Sequence, residues 1–89
     1  MQSKNKPAMT KAERAWVARV KSSPCVICNA PAPSHAHEIR QGDWFTSLPL
    51  CDDCHTGSHN GIHGRQAIWK VLKLDELGAL NLYLSRVNA

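Results

Sequence analysis

The sequence predicts a small α+β domain stapled by a metal ion, with one two-stranded hairpin and helices at both ends of the chain. Three observations carry that expectation. Four cysteines fall into two C-x-x-C pairs, Cys25/Cys28 and Cys51/Cys54. Between the pairs, the turn residues Arg40-Gln41-Gly42-Asp43 separate two short extended stretches. Outside them lie segments with helical periodicity and clear start signals. The 89 residues leave room for one domain and a modest core, and a chain of that size often needs a staple.

The elements follow in order. Residues 1–9 are polar, carry Lys4, Lys6 and Pro7, and are expected to form a flexible basic tail ahead of a single domain at 10–89. Thr10 is a good N-cap with Glu13 as its capping-box partner. Ala12, Ala15, Trp16, Val17, Ala18 and Val20 then give a short helix, dressed by Lys11, Arg14, Arg19 and Lys21, that ends near Ser22 and Ser23. Pro24 stops it and opens the first knuckle, 25–28. Pro31 and Pro33 forbid a ladder, so 30–34 is a loop. His35 to Ile39 and Trp44 to Leu50 read as a hairpin that delivers the chain into the second knuckle, 51–54. Three glycines and an asparagine make 56–64 irregular. A helix is expected from Arg65, with Ile68, Trp69, Val71 and Leu72 as its apolar face. Asp75 caps a last helix over about 75–87, with Leu77, Leu80, Leu82, Leu84 and Val87 available for packing. Gly78 weakens that helix without forbidding it. The three tryptophans, Trp16, Trp44 and Trp69, are assigned to the core rather than to base stacking.

A C-x-x-C pair sets two thiolates on one tight turn, from which both reach a single ion at about 2.3 Å. Two pairs complete a four-sulfur zinc site. Disulfides are the competing use of four cysteines. Residues 1–16 lack an apolar leader segment, so no secretory signal is expected, and a reducing cytoplasm favours zinc thiolates. No thioredoxin-like βαβ pattern surrounds either pair. No apolar run approaches membrane-spanning length, so no membrane partner is expected. The formal net charge of +4 and a sequence pI near 9.1 suit an anionic partner such as nucleic acid.

All five histidines fall between or after the cysteine pairs: His35, His37, His55, His59 and His63. A closed sulfur site does not need them, which points to a second, open metal site. If a helix began at His55, then His55 and His59 would share a face, but Gly57 and Gly61 argue against so early a start. His37, His55 and His63 are therefore the expected ligands, with His59 as the substitute for His63. His35, in the proline loop, is expected to be exposed rather than functional. Neutral imidazoles of this kind hold a divalent cation and leave positions for water or a phosphate oxygen.

The segments Ala36-His37-Glu38-Ile39-Arg40, Leu48-Pro49-Leu50-Cys51-Asp52-Asp53-Cys54-His55 and Gly61-Ile62-His63-Gly64 resemble the HNH (His-Me finger) endonucleases, above all the small zinc-knuckle members encoded by phages and prophages. The resemblance covers roughly Cys25 to Trp69. It implies a ββα unit, here about 35–72, that holds one divalent metal (Mg²⁺, Mn²⁺, Ni²⁺ or Zn²⁺) on His37, His55 and His63 or His59. It also implies hydrolysis or nicking of DNA in a bacterial host cytoplasm. Two positions depart from the pattern. Glu38 stands where the family has its general-base histidine, and Thr46 stands where an asparagine orients that base. A carboxylate is ionised at neutral pH and can take a proton, though more weakly than imidazole unless burial raises its pKa. Glu38 is thus the expected base, with His37 or His35 as alternatives. Arg40, Arg65 and Lys70 are expected on the DNA backbone, where contacts give affinity with weak sequence preference. The competing expectations are a zinc-stapled module that binds nucleic acid or protein without cleaving it, and an accessory subunit recruited to a phage recombination or packaging complex.

Overall fold

A computed structural model describes residues 8–89; most of the tail expected over 1–9 lies outside the described residues. The first helix, α1 (Lys11–Lys21), starts as the sequence dictates. The Thr10 side chain accepts from the Glu13 N–H, and the Glu13 carboxylate accepts from the Thr10 N–H at 2.8 Å. It buries Val17 and Val20 and ends at Ser22, just before Pro24.

The hairpin consists of β1 (His35–Glu38) and β2 (Ser47–Leu50), antiparallel, with His35 opposite Leu50 and His37 opposite Leu48. The returning strand is shorter than the expected 44–50. Trp44–Thr46 forms a single 3-10 turn instead. The cause is local: the Thr46 N–H and hydroxyl both donate to the Asp43 carbonyl, at 2.9 and 2.7 Å, which winds the chain before it extends. All four residues of β2 are buried. The Pro49 carbonyl accepts from the Val26 N–H at 3.0 Å, joining the first knuckle to the sheet.

Three helices follow. A short one, α2 (Asp52–Thr56), begins inside the second knuckle, where the sequence suggested no helix. Cys51 caps it, its sulfur accepting from the Cys54 N–H at 3.4 Å, and Asp52 and Asp53 suit the positive end of the helix. The next helix, α3 (Ala67–Leu72), starts after Arg65 because Gln66 adopts φ 62°, left-handed and non-helical. Two short helices, rather than the single one expected from Arg65, thus stand between the hairpin and the last helix. Only Trp69 of α3 is fully buried. Val71 and Leu72, expected on the apolar face, are exposed, since six residues of helix turn only one side to the core. The last helix, α4 (Glu76–Val87), is capped by Asp75, which accepts from the Gly78 N–H at 2.7 Å. Its inward face is Ala79, Leu80 and Tyr83, while Leu77 points to solvent.

The core joins Val20, Val26, Leu48, Leu50, Trp69, Leu80 and Tyr83 to the buried Cys25 and Cys54. Trp69 donates its indole N–H to the Cys54 carbonyl at 3.1 Å. Trp16 packs edge-on against Tyr83, and the Tyr83 hydroxyl meets Ser23 Oγ at 2.8 Å. Trp44 is only half-buried. Among the described residues, no helix is long and apolar enough to cross a membrane.

Candidate metal centre

The four cysteines converge. Their sulfurs all lie within 4.8 Å of one another, with Cys28 and Cys51 Sγ 3.6 Å apart, and all four are free thiols. Two sulfurs bound tetrahedrally to one zinc at about 2.3 Å stand roughly 3.8 Å apart, so the spacing suits that ion. Turn geometry sets them there. The Cys25 N–H donates to the Ala30 carbonyl and the Asn29 N–H to the Cys25 carbonyl, each at 2.9 Å, with Asn29 at φ 64° to close the turn. Burial pushes the Cys54 thiol far up, and the neighbouring Cys25 charge pushes it further. Burial also raises Cys28. For Cys25 burial acts the same way, but the N–H groups of Cys28, Cys51 and Ile27 outweigh it and hold the thiol below its ordinary value. Sulfurs this crowded resist ionisation together unless a cation joins them, and a coordinated thiol is deprotonated outright. The four cysteines could therefore bind a structural zinc.

The imidazoles form a second, separate cluster. One ring nitrogen from each of His37, His55 and His63 falls within the same 4.8 Å limit. The three ring centroids make a nearly equilateral triangle, 5.0 Å from His37 to His55, 5.1 Å from His37 to His63 and 5.0 Å from His55 to His63. His37 sits on β1 and is buried, His55 sits on α2 and is half-buried, and His63 is exposed. The triangle thus has a closed floor and an open edge. His63 reaches it because the glycine loop doubles back on α2. The Ile62 N–H donates to the Cys54 carbonyl at 2.9 Å and the His63 N–H to the His55 carbonyl at 3.1 Å. His59 stands at the far side of that loop. Its carbonyl accepts from the Ala67 N–H, and it lines a shallow hollow of about 320 Å³ with Ser58 and Arg65, outside the trio.

Two carboxylates reach these rings. Glu76 Oε2 lies 2.5 Å from His37 Nε2. Asp52 Oδ1 lies 2.6 Å from His35 Nε2, and His35 Nδ1 lies 2.8 Å from His55 Nδ1. Each carboxylate accepts only, so the hydrogen-bond network assigns the protons. Glu76 takes the Nε2–H of His37. Asp52 takes the Nε2–H of His35, whose Nδ1 then accepts from the Nδ1–H of His55. With neutral rings, His37 Nδ1 and His55 Nε2 face each other at 3.2 Å, both as lone pairs. Two imidazole nitrogens on one tetrahedral zinc stand about 3.3 Å apart. The donor set therefore fits a borderline divalent cation, three nitrogens with room for further ligands. Burial, reinforced by the neighbouring His37, His63 and His35, lowers the pKa of His55 to about 4 and keeps it neutral.

The remaining expected residues lie elsewhere. Glu38 follows His37 in the strand and so faces the other side of the sheet. Its Oε1 accepts from the Gly42 N–H at 2.7 Å. Thr46 Oγ1 donates to the Asp43 carbonyl and accepts from the Arg40 N–H at 3.3 Å. Both residues thus bond within the hairpin turn, and Glu38 is not among the side chains gathered with the trio. Arg40 is exposed on that turn with Asp43 Oδ2 3.6 Å away. Arg65 precedes α3, and Lys70 is exposed on it. Sequence reasoning missed Glu76 and Asp52 and set His35 aside. A carboxylate that opens a helix carries no signal of which ring it will meet. No family model matches the chain, and neither the curated proteins nor the solved structures yield a match.

Proposed function

We propose that this chain is a metal-dependent endonuclease that hydrolyses or nicks DNA with weak sequence preference. The observation that supports the reading is the separation of the two ligand sets. The cysteines suffice for a structural zinc, and three imidazoles remain gathered at an open edge. When bound there, a divalent cation supplies Lewis acidity toward phosphate oxygens. His37, His55 and His63 hold it and keep one side accessible. Arg40, Arg65 and Lys70 add positive charge on the hairpin turn and along α3, suited to a phosphate backbone. Glu38 holds the turn through the Gly42 N–H, and a carboxylate is a weaker base than imidazole, so cleavage is expected to be slow. That same observation favours a second reading, a zinc-stapled module that binds nucleic acid or protein without cutting, either alone or recruited into a phage recombination or packaging complex.

Plasmid nicking decides between them. Supercoiled, single-stranded and branched DNA are incubated with Mg²⁺, Mn²⁺, Ni²⁺ or Zn²⁺. The nuclease reading expects metal-dependent cleavage that His37→Ala abolishes while the structural zinc stays bound. Glu38→Ala is expected to loosen the hairpin and leave cleavage detectable. Absence of nicking under every condition supports the binding module.

A further inference from the structure

One contact at the imidazole cluster comes from a part of the chain that the ligand set does not include. Glu76 opens α4, and its carboxylate meets the Nε2 of the buried His37. A glutamate in the first turn ordinarily serves the helix end from solvent and needs no partner. Here Asp75 already caps the helix. Glu76 lies on the same face as Ala79, Leu80 and Tyr83, one turn and two turns before them, so the seating of α4 on the core decides where its carboxylate points. About a third of the Glu76 side chain is exposed, against 7 % of the His37 side chain, so the contact sits at the closed floor of the triangle.

We infer that Glu76 is the positioning residue for His37 and that α4 is thereby part of the metal centre. The inference rests on reading the trio as a cation site. By accepting the Nε2–H, Glu76 leaves the Nδ1 lone pair of His37 facing His55. Without it the ring is free to hold its proton on either nitrogen, and one tautomer blocks the ligand position. Partners of this kind typically change metal affinity 10–100-fold. Coupling runs both ways. If docked α4 favours the cation, the bound cation favours docked α4.

The test uses the full chain with its structural zinc in place and Co²⁺ as the probe. Co²⁺ at the trio absorbs in the visible without the thiolate charge-transfer band that would mark exchange into the cysteine site. Glu76→Ala is expected to weaken Co²⁺ binding 10–100-fold with zinc content unchanged. Glu76→Gln, whose amide oxygen still accepts from Nε2–H, is expected to recover most of the loss. Nitrogen-15 spectra of the imidazole rings supply the readout that a merely structural role would not move. His37 should be the Nε2–H tautomer in the native chain and in Glu76→Gln, and a mixture in Glu76→Ala. Amide exchange in α4 should slow when Co²⁺ binds. Should Glu76→Ala fail to fold, the tautomer in Glu76→Gln and the exchange of α4 still decide. Equal Co²⁺ affinity in the native and Glu76→Ala chains, or His37 protonated on Nδ1 in the native chain, overturns the role of Glu76. Failure of the native chain to take up Co²⁺ beyond its zinc overturns the cation reading itself.

Discussion

His55 is the residue on which the cluster turns, because it touches His35 through one nitrogen and faces His37 through the other. Its lowered pKa has a pH consequence whose sign is fixed. The unfolded chain takes up a proton near the ordinary value of 6.5, and the folded chain, before any cation binds, does so only near about 4. Stability is therefore full above about 6.5, falls as the pH drops through that window and levels off below it. Zinc loss from the sulfurs also follows acid, so the measurement is a difference. Urea midpoints of the native and His55→Gln chains, compared from neutral to mildly acid pH without added cation, should converge as the pH falls. Midpoints that stay parallel would show that His55 is not held neutral by the fold. At this scale the sequence was legible where chemistry and spacing coincide. The cysteine pairs announce themselves, and His37, His55 and His63 stand out by their ties to the knuckles. The partners of those rings do not, since Glu76 reaches His37 through tertiary packing alone.

Among elements, the glycine loop between α2 and α3 has the most to answer for. An added Cβ at Gly61 would lie 2.5 Å from the Gly57 carbonyl oxygen and 2.7 Å from its nitrogen. The loop closes on itself too tightly for any side chain there, and this closure lets the backbone of His63 bond to that of His55. Gly61→Ala is expected to destabilise the fold by about 1–3 kcal/mol. It should lower cation affinity at the imidazoles more than zinc retention at the sulfurs, as metal analysis after mild chelation would show. Equal losses at both sites would place the effect in the core instead. The helices at the two ends of the described chain, α1 and α4, were readable from Thr10, Glu13 and Asp75. The middle of the chain was less so. Knuckle residues double as the cap of α2, Gln66 adopts a left-handed backbone that no pattern announces, and hydrogen bonds to Asp43 convert the start of the second strand into a 3-10 turn.

For the molecule as a whole, two groups of side chains that could each hold an ion share one small core. Cys25 and Cys54 are buried within it, and Trp69 ties the carbonyl of Cys54 to α3. The imidazoles hang on elements that this core positions. Graded chelation should therefore release ions in order. A weak chelator removes one exchangeable cation and leaves the circular dichroism spectrum unchanged. A strong one removes the zinc and unfolds the chain in the same step. Simultaneous loss of both ions at low chelator strength would contradict two independent sites.

The 3.0 Å bond from the Val26 N–H to the Pro49 carbonyl fastens one sulfur-bearing turn to the strand that leads into the other. The stretch between Cys28 and Cys51 becomes a ring once zinc closes it, and a covalent cross-link over a loop of such length is worth about 3 kcal/mol. His35 and His37 lie inside the ring, whereas His55 and His63 lie on the thread that leaves it. If zinc joins the sulfurs, closing that ring holds the strand of His37 beside the helix of His55. The expected order of loading is then zinc first and any cation at the imidazoles second, which stepwise reconstitution of the metal-free chain would check.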